Sequence, residues 1–268
     1  MRGVAVLGVL LLSFAAQGVT PAWLKAFRPT YTIYYERGYE ADRDFAQTWL
    51  DRTESLMRSK YGVTETGYQV SFYLYSTPNE HAGIGHAQVQ TSGKTAVIHY
   101  LTPGATAWKR TSNTTSLRLP YDENYHAKVI VSEYIPLAHT AVQATRTGGW
   151  RYSQAPDWVS QGLQEYDAFF HSTEFNKTAG FARMREFGRT NPTKFECCQN
   201  GLPQIADTYN GGALFMAFLA EQFGEDIHVR LLRSSQPTFA LALQDETRPR
   251  DVTMLFEDFQ RWLKSDQP

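Results

Sequence analysis

Ser132, Glu133 and Pro136 lie in a stretch, Val129 to Gln143, where apolar or aromatic residues recur at Ile130, Tyr134, Leu137 and Ala141. Those intervals mark one face of a helix. Ser132 and Pro136 are four apart, the spacing at which two imidazoles on successive turns share one metal ion, and Glu133 stands where a carboxylate would activate the metal's water. The residue types do not supply that chemistry. Zinc is held by thiolate, imidazole or carboxylate; a serine hydroxyl is a poor substitute and a proline side chain offers no donor at all. Pro136 also disturbs the helix: inside one it removes the hydrogen bond to the Ser132 carbonyl, clashes with that group, and costs about 3 kcal/mol. A kink is one outcome, and an early end with Pro136 opening a second helix is the other.

Around this stretch few side chains offer a rescue. Glu165 is the best substitute carboxylate, four residues after Gln161 and so on the same helical face; its bland alternative is a solvated or hydrogen-bonded carboxylate. His126 lies seven residues before Glu133, about 10 Å back along a helix. His139 reads as a partly buried helix histidine, and His99 sits on a strand where a structural role is the default. His81 and His86 fall in a polar segment nearby. Cys197 and Cys198 are adjacent. They cannot staple distant elements, and a vicinal disulfide, an intermolecular bridge or two buried thiols are all open. No nucleophile elbow and no phosphate-cradling glycine loop occurs.

The elements that must position these residues are legible from pattern. Strands are expected at Tyr31–Tyr35, Tyr68–Tyr75 and Lys94–Leu101, the last supplying an open sheet edge. A long amphipathic helix is expected from Ala41 to Tyr61, with Phe45, Trp49, Leu50, Leu56 and Met57 inward and Gly62 as its stop. Val19 to Pro29 reads as linker, Gly83 to Gly93 as loop, and Lys177 to Asn200 as an irregular crossover. Asn124 to Ala144 is the pivotal helix. Pro156 suits the first position of the next one, with Asp157 in its first turn. Gly211 to Phe223 is apolar on every side and so a buried helix, followed by shorter helices at Asp226–Leu232, Phe239–Leu243 and Val252–Leu263. Strands early and helices late give an α+β chain with a helical C-terminal half.

Taken in order, Glu133-Tyr134, Ala155-Pro156-x-Trp158, Gly162, Glu165-Tyr166, Tyr209-Asn210-Gly211-Gly212-Ala213-Leu214-Phe215 and Phe223-Gly224 resemble the peptidase MA-like group of gluzincin metallopeptidases. The similarity runs from about Tyr31 to Lys264. It implies a zincin-like fold: an N-terminal mixed sheet with helices over 19–150, ending in the HExxH-type helix, and a helical C-terminal subdomain over 151–268. It also implies zinc ligands at Ser132, Pro136 and Gln161, where the family carries two histidines and a glutamate; a general base at Glu133; and a tyrosine steadying the reacting carbonyl oxygen at Tyr209. All three ligand positions depart from the family. No metal cofactor is therefore expected, Glu133 becomes a vestigial base, and without zinc the attacking water keeps its high pKa.

At 268 residues, with 42% hydrophobic and 14% aromatic residues, the chain is long enough for a real core. A formal net charge of −1 gives no footprint for nucleic acid. Arg2, the apolar run from Val4 to Ala16 and the small-x-small Ala16-Gln17-Gly18 read as a signal peptide over 1–18. That implies a secreted or periplasmic protein with no membrane span after cleavage. Asn113-Thr114-Thr115 and Asn176-Lys177-Thr178 fit the N-glycosylation pattern. The expectation is an exported pseudo-metallopeptidase whose cleft binds an extended peptide. The alternative is a hydrolase with an atypical metal site or a metal-free pair such as Glu133 with Glu165.

Overall fold

The computed structural model describes residues 23–76, 87–102, 123–172, 177–190 and 194–265. The signal-peptide region, both sequon asparagines, His81 and His86 lie outside them.

Strands β1 (Leu24–Phe27), β2 (Tyr31–Tyr35), β3 (Gln69–Tyr75), β4 (Ala87–Ser92) and β5 (Thr95–Leu101) form one mixed sheet in the order β1-β2-β3-β5-β4. The three central strands are parallel and both edge strands antiparallel. Alternation decides which face is buried. Tyr31, Ile33, Val70, Phe72, Leu74, Ala96, Ile98 and Tyr100 all point into the core. Helices α1 (Glu40–Leu56) and α2 (Glu123–Tyr134) pack on the sheet. A π-helical turn, Met57–Tyr61, prolongs α1 to Gly62, whose φ of 69° places it in the left-handed region that favours glycine. The opposite face carries a cross-strand row, Lys25, Tyr34, Tyr73, His99 and Gln88. In it the Tyr34 and Tyr73 rings stack with centroids 4.4 Å apart.

Three expectations need correcting here. The segment read as linker contains β1: its one-in, one-out pattern is real but only four residues long. The segment read as loop contains β4, whose Ala-Gln-Val-Gln-Thr-Ser sequence is too polar to announce a strand. Consequently Lys94–Leu101 is no edge, because β5 lies between β3 and β4, and among the described strands the outer position belongs to β4.

Pro136 opens a second helix. The chain leaves α2 at Tyr134, passes Ile135 with α-type angles (φ −61°, ψ −29°), and starts α3 (Pro136–Ala144) with proline in its first turn. The hydrogen-bond ladder resumes at once, from the Ala138 and His139 N–H groups to the Ile135 carbonyl.

The C-terminal half is helical: α4 (Asp157–Ser172), α5 (Lys177–Thr190), α6 (Asn210–Phe223), α7 (Ile227–Arg233), α8 (Phe239–Glu246) and α9 (Val252–Lys264). Helix α4 begins at Asp157, one residue later than the Pro156 expectation, with the Pro156 carbonyl accepting from Val159. Helix α6 is buried from Asn210 to Ala220, as its uniformly apolar sequence requires. It crosses α4 at a glycine pair: a Cβ on Gly162 would lie 2.4 Å from the Gly212 carbonyl carbon, and one on Gly212 would lie 2.3 Å from the Trp158 oxygen. The region expected to be irregular, Lys177 to Asn200, holds α5 and β6 (Phe195–Gln199), and β6 pairs in a hairpin with β7 (Leu202–Ile205) just beyond it. Buried Phe181 and Met184 give α5 an inward face inside an otherwise polar stretch. Cys197 and Cys198 are joined as a vicinal disulfide at the irregularity in β6. Among the described residues no helix is long and apolar enough to cross a membrane.

Candidate functional site

Three elements bring polar groups together beside the open edge of β4. Helix α2 contributes Lys128, Ser132 and Glu133, α4 contributes Glu165, and Tyr209 stands at the start of α6. Lys128 and Glu165 form an ion pair at 3% and 8% exposure, two charges that satisfy each other inside the protein. The ammonium meets Glu165 Oε2 off the direction of a good hydrogen bond, so charge attraction holds the contact. Glu165 therefore does not act as a free substitute ligand, and it is not a solvated carboxylate either.

Glu133 faces this pair. Burial, and next the Glu165 carboxylate, push its proton affinity up to about 7, against a hydrogen bond from the Val89 backbone that favours the charged form. The influence of the Val89 backbone sets Glu133 beside β4. Tyr209 completes the rim at 51% exposure. Its hydroxyl is raised by burial and then by Glu165, Glu133 and Asp157, all negative.

The expected ligand positions remain non-ligating. The Ser132 hydroxyl is spent on the Val129 carbonyl at 3.1 Å. Pro136 is buried at the start of α3. Gln161 lies on the partly exposed side of α4. Among the described residues no group of three or more histidine, cysteine, aspartate or glutamate side chains could hold a metal ion. His126 and His99 are each tied through Nδ1 to a tyrosine hydroxyl, Tyr100 at 2.9 Å and Tyr75 at 3.0 Å. No family model matches the chain, and no curated protein matches it.

A second polar cluster, missed in the sequence, lies wholly inside. Asp167 on α4 receives the Lys60 ammonium at 2.5 Å, the Tyr61 hydroxyl at 2.5 Å and His139 Nε2–H at 2.9 Å. Burial alone would raise the Asp167 carboxyl, but Lys60 and the His139 hydrogen bond outweigh it and hold the group well below the usual carboxylate range. His139, expected to be partly buried, is fully buried, and burial lowers its proton affinity. His228 donates from Nε2 to the Met216 carbonyl at 3.1 Å, which leaves Nδ1 to accept from Lys60 at 3.4 Å. Burial and then Lys60 hold its pKa down to about 3. This network ties the π-helical turn, α3, α4 and α7 into one unit, and α4 carries Glu165 two residues before Asp167. It positions the site without touching it.

A cleft of about 830 Å³ opens elsewhere, over Tyr134, Met57, Tyr31 and Val70, with Arg28, Arg58 and Lys94 among its lining. Tyr134 points into it, away from its neighbour Glu133, and donates to Glu54 at 3.0 Å.

Proposed function

We propose that the protein is a zincin-like pseudo-metallopeptidase that binds an extended peptide along β4 without cleaving it. The outer edge of β4, which no other described strand covers, carries this reading. Natural sheets blunt their edges with lysine, proline, bulges or very short strands. Strand β1 has such guards: four residues, Lys25 within it and Pro29 just after. Strand β4 has six residues without charge, proline or break in register. Such an edge can add one more strand through backbone hydrogen bonds. Catalysis by the family's route would need ligands where Ser132, Pro136 and Gln161 stand.

Two measurements test this. Titration with an extended peptide should shift the backbone amide resonances of Ala87–Ser92, and protein exchanged against excess zinc should retain no stoichiometric metal. Replacing all three positions (Ser132→His, Pro136→His, Gln161→Glu) should create a one-zinc site. Tight zinc in the natural sequence together with peptide hydrolysis would overturn the proposal. One observation favours the hydrolase alternative, a Glu133 poised near neutrality, as a general base should be. The closure of Glu165 onto Lys128 counts against it, because the second carboxylate is then not available to act.

A further inference from the structure

Cys197 and Cys198 are the only cysteines of the chain, and their disulfide does not act as a staple. A cross-link between adjacent residues closes the shortest possible loop, so it takes little freedom from the unfolded chain. The hairpin that carries it is anchored by other means. Leu202 and Ile205 are buried, the Phe195 ring meets Phe259 edge-on with centroids 4.9 Å apart, and the Ala206 N–H donates to the Lys194 carbonyl. We infer that the pair is instead a reversible thiolation site: a small-molecule thiol opens the disulfide, bonds to Cys197 and leaves Cys198 as a free thiol.

The register of the hairpin makes the two sulfurs unequal. Glu196 pairs with Gln204 and Gln199 with Leu202, so two residues of β6 face Pro203 alone. Proline has no N–H to offer them, and the extra residue makes a bulge. Strict alternation from Phe195 would turn Cys197 inward and Cys198 outward. The bulge reverses this: Cys198 packs half-buried against the core and Cys197 is exposed. Thiol–disulfide exchange proceeds by attack of a thiolate on one sulfur, and access helps decide which. The incoming thiolate therefore bonds to Cys197 Sγ as the bond to Cys198 breaks. The electron pair leaves on Cys198 Sγ, which takes up the proton that the attacking thiol released, so the exchange needs no other oxidant or reductant. An acceptor stands ready for the new S–H, because Cys198 Sγ lies 3.8 Å from the Val252 carbonyl oxygen at the start of α9. A hydrogen bond given by the thiol favours its neutral form. That slows the return attack on Cys197, since only the thiolate is the nucleophile, and so preserves the adduct. The neighbouring Glu196 carboxylate is paired with Lys194 at 2.6 Å, which offsets its repulsion of an incoming thiolate.

The experiment uses the full folded chain and glutathione as the thiol. After incubation without oxygen, iodoacetamide caps any free thiol, and peptide mass spectrometry locates each group. The expected product carries a single glutathione on Cys197 and the alkyl cap on Cys198. The reverse placement, or an even mixture of the two, would overturn the choice of attacked sulfur. Absence of any adduct on the folded chain would overturn the site itself. Complete reduction by dithiothreitol should lower the midpoint of thermal unfolding by less than about 5 °C. A larger fall would show that the disulfide holds the fold together, against the inference.

Discussion

Replacing Glu133 by glutamine should make the protein more stable, by an amount that grows from about pH 4.5 and is complete above about pH 7. The carboxyl's pKa rises from 4.5 to about 7 on folding. Each tenfold change in proton affinity is worth ~1.4 kcal/mol, so full ionisation inside the fold costs about 3 kcal/mol relative to the unfolded chain. The sign follows from which state binds more protons. Between pH 4.5 and 7 the folded protein holds a proton that the unfolded chain has released, so stability falls as pH rises through this window and stays low above it. Glutamine copies the protonated acid in shape, so it should come within about 1 kcal/mol of the natural protein at pH 5. Urea unfolding at pH 5 and pH 8 measures both. The expected result is an advantage for Glu133→Gln of under about 1 kcal/mol at pH 5 and of about 3 kcal/mol at pH 8. Comparing the two proteins cancels the titrations they share, including those of His139 and His228. A difference of equal size at both pH values would refute the reasoning, because it would show that Glu133 is not forced to ionise in a site that resists its charge.

The remaining predictions concern what holds the site in place. Lys128→Met and Glu165→Gln should each destabilise by about 3–5 kcal/mol, since each leaves one buried charge alone; the double variant should cost much less than the sum, and additive losses in urea would show that the pair does not interact. Asp167→Asn should cost a similar ~3–5 kcal/mol by stranding Lys60. In the Glu133→Gln protein, which lacks the opposing Glu133 titration, the urea midpoint should fall as pH drops below about 6.5, where unfolded histidines take up protons that buried His139 and His228 refuse. Asp167 should add to that loss below about pH 4, and a flat profile from pH 7 to 4 would contradict the network. Gly162→Ala should destabilise by about 1–3 kcal/mol, as its methyl group meets the Gly212 backbone, and thermal unfolding would reveal it.

How far the sequence discloses this molecule depends on the range over which each signal acts. Helix α6 and strand β2 could be read because a uniformly apolar run and a tyrosine-rich alternation are local properties. The Pro136 break was equally local, a consequence of one ring and one missing N–H. Strand β4 was not readable, because an edge strand with polar side chains has little apolar contrast to show; its strand character comes from pairing with β5. Helix α5 left a fainter trace, with Phe181, Met184 and Phe187 three apart inside a basic stretch that resembles a loop by composition. The site divides in the same way. Ser132, Glu133 and Pro136 fall together by helical spacing, whereas Gln161 and Tyr209 are singled out only by the resemblance. Lys128 reads as an ordinary helix lysine until Glu165 is brought to it from α4, and Asp167 meets Lys60 across 107 residues of chain. Both carboxylates had been visible as residue types, and what was hidden was the partner that fixes each one's charge. That partner decides the chemistry: Glu165 with Lys128 is a closed pair, and Glu133 near them is the carboxylate whose charge the fold disfavours.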